Sequence, residues 1–259
     1  MTGSPTEADA RALLDQHAAK ARFAAAPPAS ATTLPAAYDV QRAFVALMLP
    51  REGPVAGYKI GLTSPRMQAM CGIDQPISGV VLAQRVRSSG STLARSAYGR
   101  LGLEFEIAMR IGRDTSGGEH SAHSVRAQVD GVCAGIEIVD DRHADYKTLD
   151  VRGLVADNSW NAGMVLSQWV SPWPDLGAAE GVVHANGQAV DRGFGRDVLG
   201  DPFVALAWLA NHLHARGECL RAGQVVMTGS LVPTRFPLED TAFRYELAGI
   251  GTVSVNVTA

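Results

Sequence analysis

The sequence predicts an α+β fold that is mainly β, with a helical segment at its N-terminus. From residue 55 onwards, short apolar runs follow one another and are separated by glycine and turn residues. Helical patterns between these runs are few and do not alternate regularly with them, so a doubly wound sheet is not expected. The 259 residues suffice for one large domain. We place a boundary after residue 54, with a helical segment over 1–54 packed on a core over 55–259.

Five helices are expected from capping and breaking residues. The first follows Ser4-Pro5-Thr6-Glu7, which has the form of a capping box. The second covers about 38–49, with apolar residues on one face, and ends at Pro50 and Gly53-Pro54. The others run from Ser64-Pro65 to Gly72, from Ser121 to about Asp130, and from Asp201-Pro202 to Gly217.

Nine strands are expected from apolar runs bounded by turn residues. Their predicted ranges are Val55–Ile60, Gly79–Leu82, Leu101–Ile111, Gly131–Val139, Ala162–Leu166, Gly181–Ala185, Val225–Thr228, Ala242–Leu247 and Gly251–Val257.

Composition excludes several classes of partner. Of the residues, 46% are hydrophobic. The net charge is −3, so no positive electrostatic potential favours binding to nucleic acid or to an anionic membrane. No apolar run approaches the ~18 residues that a spanning helix needs. The acidic, amphipathic N-terminus does not have the form of a signal peptide. Three widely spaced cysteines fit reduced thiols, so we expect a cytoplasmic protein.

Three glutamates lie in segments that otherwise predict buried strands. Glu104 and Glu106 are two apart and therefore face the same side of a strand, whereas Glu137 stands between Ile136 and Ile138. Desolvating a carboxylate costs several kcal/mol unless it is paired or coordinated. Two partners remain open: arginine side chains, or a hard divalent cation such as Mg²⁺ or Mn²⁺.

Lys59 lies in an apolar strand between two glycines, in the stretch GYKIGLT. An ammonium group there needs an anionic partner, and a substrate carboxylate or enolate would serve. The alternative is a lysine at a strand end whose ammonium group reaches water.

Two polar turns add candidate binding groups. One contains Asp157, Asn158, Ser159 and Asn161, whose short side chains either form a tight turn or point into a pocket. The other is Thr228-Gly229-Ser230, where a turn permitted by glycine offers backbone N–H groups and two hydroxyls to an anion.

The ordered set of motifs resembles the 2-keto-4-pentenoate hydratase / 4-oxalocrotonate decarboxylase family, within the fumarylacetoacetate-hydrolase-like superfamily. From about residue 38 to the C-terminus, the motifs are GYKIGLTS, LEFEIAMRIGRD, GIEIVDDR, ADNSWNAG, TGS and GIGTVSVNV. The resemblance implies a mixed β-barrel-like core, a catalytic domain over 55–259 and a homo-oligomer.

The resemblance also implies roles for the candidate residues. Mg²⁺ or Mn²⁺ would be bound by Glu104, Glu106 and Glu137. Lys59 and Glu106 would be catalytic. The substrate carboxylate and 2-oxo group would be surrounded by Lys59, Asp157, Asn158, Ser159, Thr228, Gly229 and Ser230.

The implied activity is the metal-dependent addition of water to a 2-hydroxy-2,4-dienoate, giving a 4-hydroxy-2-oxo acid, in meta-cleavage degradation of aromatic compounds. The alternative is decarboxylation of a 2-oxo diacid of the 4-oxalocrotonate type. Further alternatives are C–C hydrolysis of an acylpyruvate, for which the sequence shows no convincing His–Glu pair, and a non-catalytic subunit. Association with a paralogous hydratase or decarboxylase subunit is also implied.

One departure from the family pattern lies after the Asp74-Gln75-Pro76 turn. Some hydratases carry an acidic residue where this chain reads GVVLAQRV, and Gln84 is its nearest polar residue. If that acid carries a proton, this chain must use another group.

Overall fold

The computed structural model describes residues 3–259, whose strands form two sheets. The larger sheet has the order β2-β1-β10-β5-β6-β7-β3 and the smaller one β4-β12-β11-β8-β9. The strands are β1 (Val55–Gly61), β2 (Ile77–Leu82), β3 (Val86–Ser88), β4 (Ser91–Ala94), β5 (Leu101–Ile111), β6 (Val129–Asp140), β7 (Asn161–Leu166), β8 (Glu180–Ala185), β9 (Gln188–Phe194), β10 (Val225–Ser230), β11 (Thr241–Leu247) and β12 (Gly251–Thr258).

Six α-helices accompany these strands within residues 3–259. They are α1 (Pro5–Ala18), α2 (Leu34–Glu52), α3 (Pro65–Met70), α4 (Ala122–Arg126), α5 (Val151–Ala156) and α6 (Pro202–Ala215). In this part of the chain, no helix combines the length and the apolar character needed to cross a membrane.

The two faces of the larger sheet pack against different layers. The apolar face of β5, including Phe105 and Ile107, joins the main core with α6 and the smaller sheet. On the opposite face, a second cluster includes Phe44 of α2, Leu13 of α1 and Val139 of β6. The side of the sheet that carries Glu104 and Glu106 is therefore covered partly by the N-terminal helices. The boundary at residue 54 stays a prediction.

The predicted fold class is confirmed, and each of the nine predicted strands is present. Three strands were not predicted, namely β3, β4 and β9. β3 and β4 have only three and four residues, and β9 is a largely exposed edge strand without an apolar run. Within the described residues, both sheets stay open and the barrel-like core is not a closed barrel.

The helix predictions needed three corrections. α2 begins at Leu34, because Thr33 accepts a hydrogen bond from the Ala36 amide and caps the helix there, and it continues through Pro50 to Glu52, so only Gly53 of the predicted stop residues ends it. α4 ends at Arg126, because residues 129 and 130 already belong to β6. α5 was not predicted, since its six residues are largely buried and show no amphipathic pattern. The capping box of Ser4 and Glu7 is confirmed.

Candidate functional site

The three glutamates predicted from the sequence meet on one face of the larger sheet. β5 and β6 are antiparallel neighbours, and their register sets Glu104 directly opposite Glu137. Glu106 lies two residues further along β5 on the same face. One carboxylate oxygen from each residue lies within 4.8 Å of the others. Glu106 and Glu137 are completely buried, so two of the three carboxylates have left water.

Each carboxylate is oriented by one hydrogen bond from a neighbouring segment. The donors are Thr234 Oγ1 to Glu104 (2.6 Å), the Gly229 amide to Glu106 (2.7 Å) and Asn161 Nδ2 to Glu137 (2.9 Å). Glu106 Oε1 is buried and accepts no hydrogen bond from a described residue, and Glu137 Oε2 is buried with only the ion pair to Lys59 at 3.3 Å. Buried oxygens normally accept hydrogen bonds, so both oxygens have capacity left for a ligand.

Lys59 supplies the one ammonium group of the cluster. Its Nζ lies 3.3 Å from Glu137 Oε2, and the residue is only 4% exposed, so the alternative of a lysine reaching water is wrong. Glycines provide the space: a Cβ on Gly61 would lie 3.3 Å from Nζ, and one on Gly79 would lie 3.1 Å from Lys59 Cγ. The glycines around this lysine therefore make room for its buried side chain.

The electrostatics of the cluster follow from burial and like charge. Burial and the charge of Glu104 raise the pKa of Glu137 to about 7, although Lys59 acts against this shift. Burial, with the two other glutamates, holds the pKa of Glu106 well above its ordinary value. Burial alone would lower the pKa of Lys59, but the three carboxylates together raise it.

A divalent cation fits these residues better than an arginine partner does. Among the described residues, no arginine forms an ion pair with any of the three glutamates. The three carboxylates offer the hard oxygen ligands that Mg²⁺ and Mn²⁺ prefer, and two of their oxygens lack a donor. The structure thus contains an acidic triad suited to a divalent cation.

The predicted turn at Thr228-Gly229-Ser230 is wrong, because these residues form the end of β10, where the register with β5 shifts between Met227 and Ser230. The Gly229 amide donates to Glu106, and Thr228 Oγ1 donates to the Ile107 carbonyl at 2.9 Å. Ser230 Oγ accepts from the Phe105 amide at 3.0 Å. This strand end therefore fixes β5 and one carboxylate, and its predicted contact with substrate stays a prediction.

The end of β10 requires glycine at position 229. Gly229 has a φ of +121°, and a Cβ there would lie 2.4 Å from Thr63 Oγ1.

In the second polar turn, Asp157 and Asn158 stabilise the fold, whereas Ser159 lies beside the candidate site. The buried Asp157 carboxylate pairs with Arg142 (Nη2 to Oδ2, 2.5 Å) and lies 2.5 Å from His17 Nε2, away from the glutamates. Asn158 holds the backbone of β2, accepting from the Val80 amide at 2.7 Å and donating to its carbonyl at 2.8 Å. Both side chains are thus used in contacts within the protein, and their predicted contacts with substrate stay predictions.

Ser159 remains beside the candidate site. Its Oγ donates to the Ser78 carbonyl at 3.1 Å, and the residue lines a cavity together with Lys59 and Glu104. Asn158, Ser159 and Trp160 have φ values of +54°, +51° and +58°. Consecutive left-handed residues without glycine cost about 1–2 kcal/mol each. Backbone strain of this kind persists only where the surrounding structure enforces it, and strained residues cluster at functional sites.

The cavity beside the cluster combines a polar floor with apolar walls. Its lining residues are Lys59, Gly61, Leu62, Met67, Met70, Ile77, Glu104, Val139, Tyr146, Leu149, Leu154, Ser159, Trp160 and Thr234. Sequence reasoning missed Trp160 and Thr234, and it did not assign Asn161 to the site. Asn161 belonged to the polar turn already noted, whereas no local pattern marks Thr234. Gln84 is exposed in the turn after β2 and does not line this cavity.

We predict that Asp157→Asn destabilises the fold by about 3–5 kcal/mol, because it leaves the buried Arg142 without its counter-ion. His17 and Arg142 lower the pKa of Asp157 although burial opposes them. A lowered pKa contributes stability above the unfolded pKa of ~3.9 that disappears as the pH falls through the folded value. Urea unfolding of both proteins between pH 7 and 2 measures this acid-side loss, which the variant lacks.

The matched control is Glu180→Gln, which removes an exposed ion pair with Arg192 and should cost less than about 1 kcal/mol. If Asp157→Asn left the free energy of unfolding unchanged and raised the KM for the substrate, Asp157 would have no structural role and would instead contact the substrate.

Known proteins resemble this chain along most of its length. The family model for the fumarylacetoacetate (FAA) hydrolase C-terminal region matches residues 71–258. A 2-hydroxyhexa-2,4-dienoate hydratase of Comamonas testosteroni is 35% identical over 208 residues, which cover 79% of this chain and 78% of the relative. A 2-keto-4-pentenoate hydratase of Burkholderia vietnamiensis is 33% identical over 226 residues, covering 86% and 85%.

A solved structure extends the similarity to the whole fold. The 4-oxalocrotonate decarboxylase from Pseudomonas putida G7, complexed with magnesium and adipate, superposes with a TM-score of 0.88 at 27% identity, covering 99% of this chain and 98% of that one. The resemblance inferred from the sequence motifs is confirmed. This chain belongs to the fumarylacetoacetate hydrolase C-terminal family, and its curated relatives include proteins named 2-keto-4-pentenoate hydratase, 2-hydroxyhexa-2,4-dienoate hydratase and 4-oxalocrotonate decarboxylase.

Proposed function

We propose that the protein is a metal-dependent hydratase that converts 2-hydroxypenta-2,4-dienoate or a substituted form of it, with one water, into a 4-hydroxy-2-oxo acid. The observation that carries this proposal is the triad of Glu104, Glu106 and Glu137, two of them fully buried, beside Lys59 and a cavity with mainly apolar walls. The hydratase names of the most similar relatives support it.

The residues present would hold Mg²⁺ or Mn²⁺ through the three carboxylates. When bound, such a cation supplies a positive charge that stabilises negative charge on the C1 carboxylate and C2 oxygen of the substrate. Thr234, Gly229 and Asn161 fix the orientation of the ligands before binding, as hydrogen bonds to metal ligands commonly do.

Lys59 is the candidate group for binding and proton transfer. Its ammonium group reaches the polar floor of the cavity from β1 and is held by Glu137. In this position, it would donate hydrogen bonds to the substrate's anionic oxygens and exchange a proton during ketonisation of the 2-hydroxydiene. Ketonisation places a proton on the diene chain, and addition of water places a hydroxyl on C4. Gln84, the polar residue nearest to the missing acid, does not line the cavity, so it is not a candidate for the role of that acid.

A decarboxylase of 2-oxo diacids is the second candidate. It is favoured by the similarity over 99% of this chain to the 4-oxalocrotonate decarboxylase structure. Both reactions need the same triad and the same electron-withdrawing 2-oxo acid, so the ligands do not distinguish them. An acylpyruvate hydrolase is less well supported, because no histidine lines the cavity in the described part of the chain.

We predict that Mg²⁺ or Mn²⁺ raises the unfolding temperature of the wild-type protein, but not that of Glu106→Gln. Metal at about 100 times its dissociation constant adds ~2.7 kcal/mol to stability. The amide of Gln can still accept from Gly229, and it removes one buried like charge, so the metal-free variant should be at least as stable as the wild type. Differential scanning calorimetry with and without metal measures both effects.

Glu180→Gln again serves as the control, since this residue lies on the smaller sheet and should keep the full metal response. An equal shift in Glu106→Gln and wild type would place the metal elsewhere.

We predict that the wild-type protein with Mg²⁺ consumes the dienol absorbance of 2-hydroxypenta-2,4-dienoate without releasing CO₂, and that EDTA stops this reaction. Parallel incubation with 4-oxalocrotonate and measurement of CO₂ distinguishes the two candidates. Release of CO₂ without hydration would favour the decarboxylase, turnover that survives thorough chelation would contradict metal dependence, and no turnover of either compound would contradict both candidates.

A further inference from the structure

The mouth of the cavity is apolar. Met70, at the end of α3, is 45% exposed and lines the cavity, whereas Lys59 is 4% exposed at its floor. Met67, Leu149 and Trp160 are further apolar residues of the wall. Methionine side chains are flexible and adapt to apolar ligands of different shape. A substrate bound by its carboxylate at the floor would therefore direct its other end towards apolar side chains.

The cavity offers a second carboxylate no free cation. Lys59 is the only cationic lining residue within residues 3–259, and Glu137 already lies 3.3 Å from its ammonium group. Arg100 lies near this region but pairs with Asp141 and does not line the cavity. Burying a carboxylate without a counter-charge is costly, so these walls select against a diacid.

The Trp160 wall is held in place at a cost in backbone energy. Three consecutive left-handed residues, 158–160, set this side chain in the cavity wall, and two hydrogen bonds between Asn158 and Val80 hold the turn. Trp160 is 6% exposed and contacts Tyr146 edge to face, with ring centroids 5.6 Å apart. Trp160 is thus a fixed part of a wall that also contains the two methionines.

We propose that Met67, Met70, Leu149 and Trp160 form a specificity subsite for an uncharged, apolar distal chain. The substrate class is then a 2-hydroxydienoate that carries a short alkyl substituent, rather than one that ends in a second carboxylate. This inference rests on the proposed function for the placement of the 2-oxo acid group at the triad.

One polar group in the wall, the indole N–H of Trp160, favours a carboxylate instead. Trp160 Nε1 is buried and finds no acceptor among the described residues, so its N–H is a potential donor to a distal carboxylate. A neutral indole N–H supplies one hydrogen bond and no charge. We therefore expect it not to compensate for the desolvation of a carboxylate.

The test compares two inert ligands of equal carbon number, 2-oxohexanoate and 2-oxohexanedioate, by calorimetric titration of the Mg²⁺-loaded protein. We expect the monoacid to bind at least tenfold more tightly. Lengthening the monoacid from 2-oxobutanoate to 2-oxohexanoate should strengthen binding by up to about fourfold for each methylene buried.

Two substitutions at the mouth locate the subsite. Met70→Arg should improve the binding of the diacid relative to the monoacid at least tenfold, whereas Met70→Leu, which keeps the apolar character, should leave the ratio within twofold of wild type. Trp160→Phe should retain the preference for the monoacid. Selective loss of diacid binding in Trp160→Phe would show that the indole anchors a carboxylate and would overturn the inference.

The outcomes separate this inference from the proposed function. Equal binding of the two ligands, or tighter binding of the diacid, by wild-type protein overturns the subsite alone. Failure of both ligands to bind the metal-loaded protein overturns the proposed function, and the subsite with it. An unchanged ratio in Met70→Arg also overturns the assignment of Met70.

Discussion

The central constraint on the site is the repulsion among three carboxylates, which share a small, mostly buried space with one ammonium group. Such a cluster is unfavourable without a further positive charge, because burial removes the water that would screen it. The strand register, the Gly229 amide at the end of β10 and the glycines beside Lys59 bring these charges together instead of keeping them apart. A divalent cation accounts for that arrangement, because it neutralises the repulsion and satisfies the oxygens without donors.

Around the triad, the two polar segments mainly position other groups. Gly229 orients Glu106, and Asn158 fixes the left-handed turn that brings Ser159 and Trp160 to the cavity. Asp157, next in the chain, instead pairs with Arg142 and contacts His17 of α1. The N-terminal helices are thereby connected to the segment that forms one wall, and substitutions far from the triad are expected to act on the site through this ion pair.

The sequence predicted the parts of the site that follow from local pattern. A spacing of two gave the shared face of Glu104 and Glu106, and an acid in an apolar run indicated Glu137. The pairing of Glu104 with Glu137 depends on the register of β5 and β6, which a single sequence does not reveal. Asp157 shows the limit: a carboxylate in a polar turn has the same pattern whether it binds substrate or Arg142, and only the fold decides. The strands β3 and β4, with three and four residues, are too short to show a periodic signal.

A crystal structure of the protein grown with Mn²⁺, with anomalous scattering measured to locate the ion, tests the metal site directly. We expect one strong peak about 2.0–2.4 Å from carboxylate oxygens of Glu104, Glu106 and Glu137. A structure in which the Mn²⁺ peak lies elsewhere, or in which these carboxylates remain without an ion at saturating Mn²⁺, would contradict this expectation.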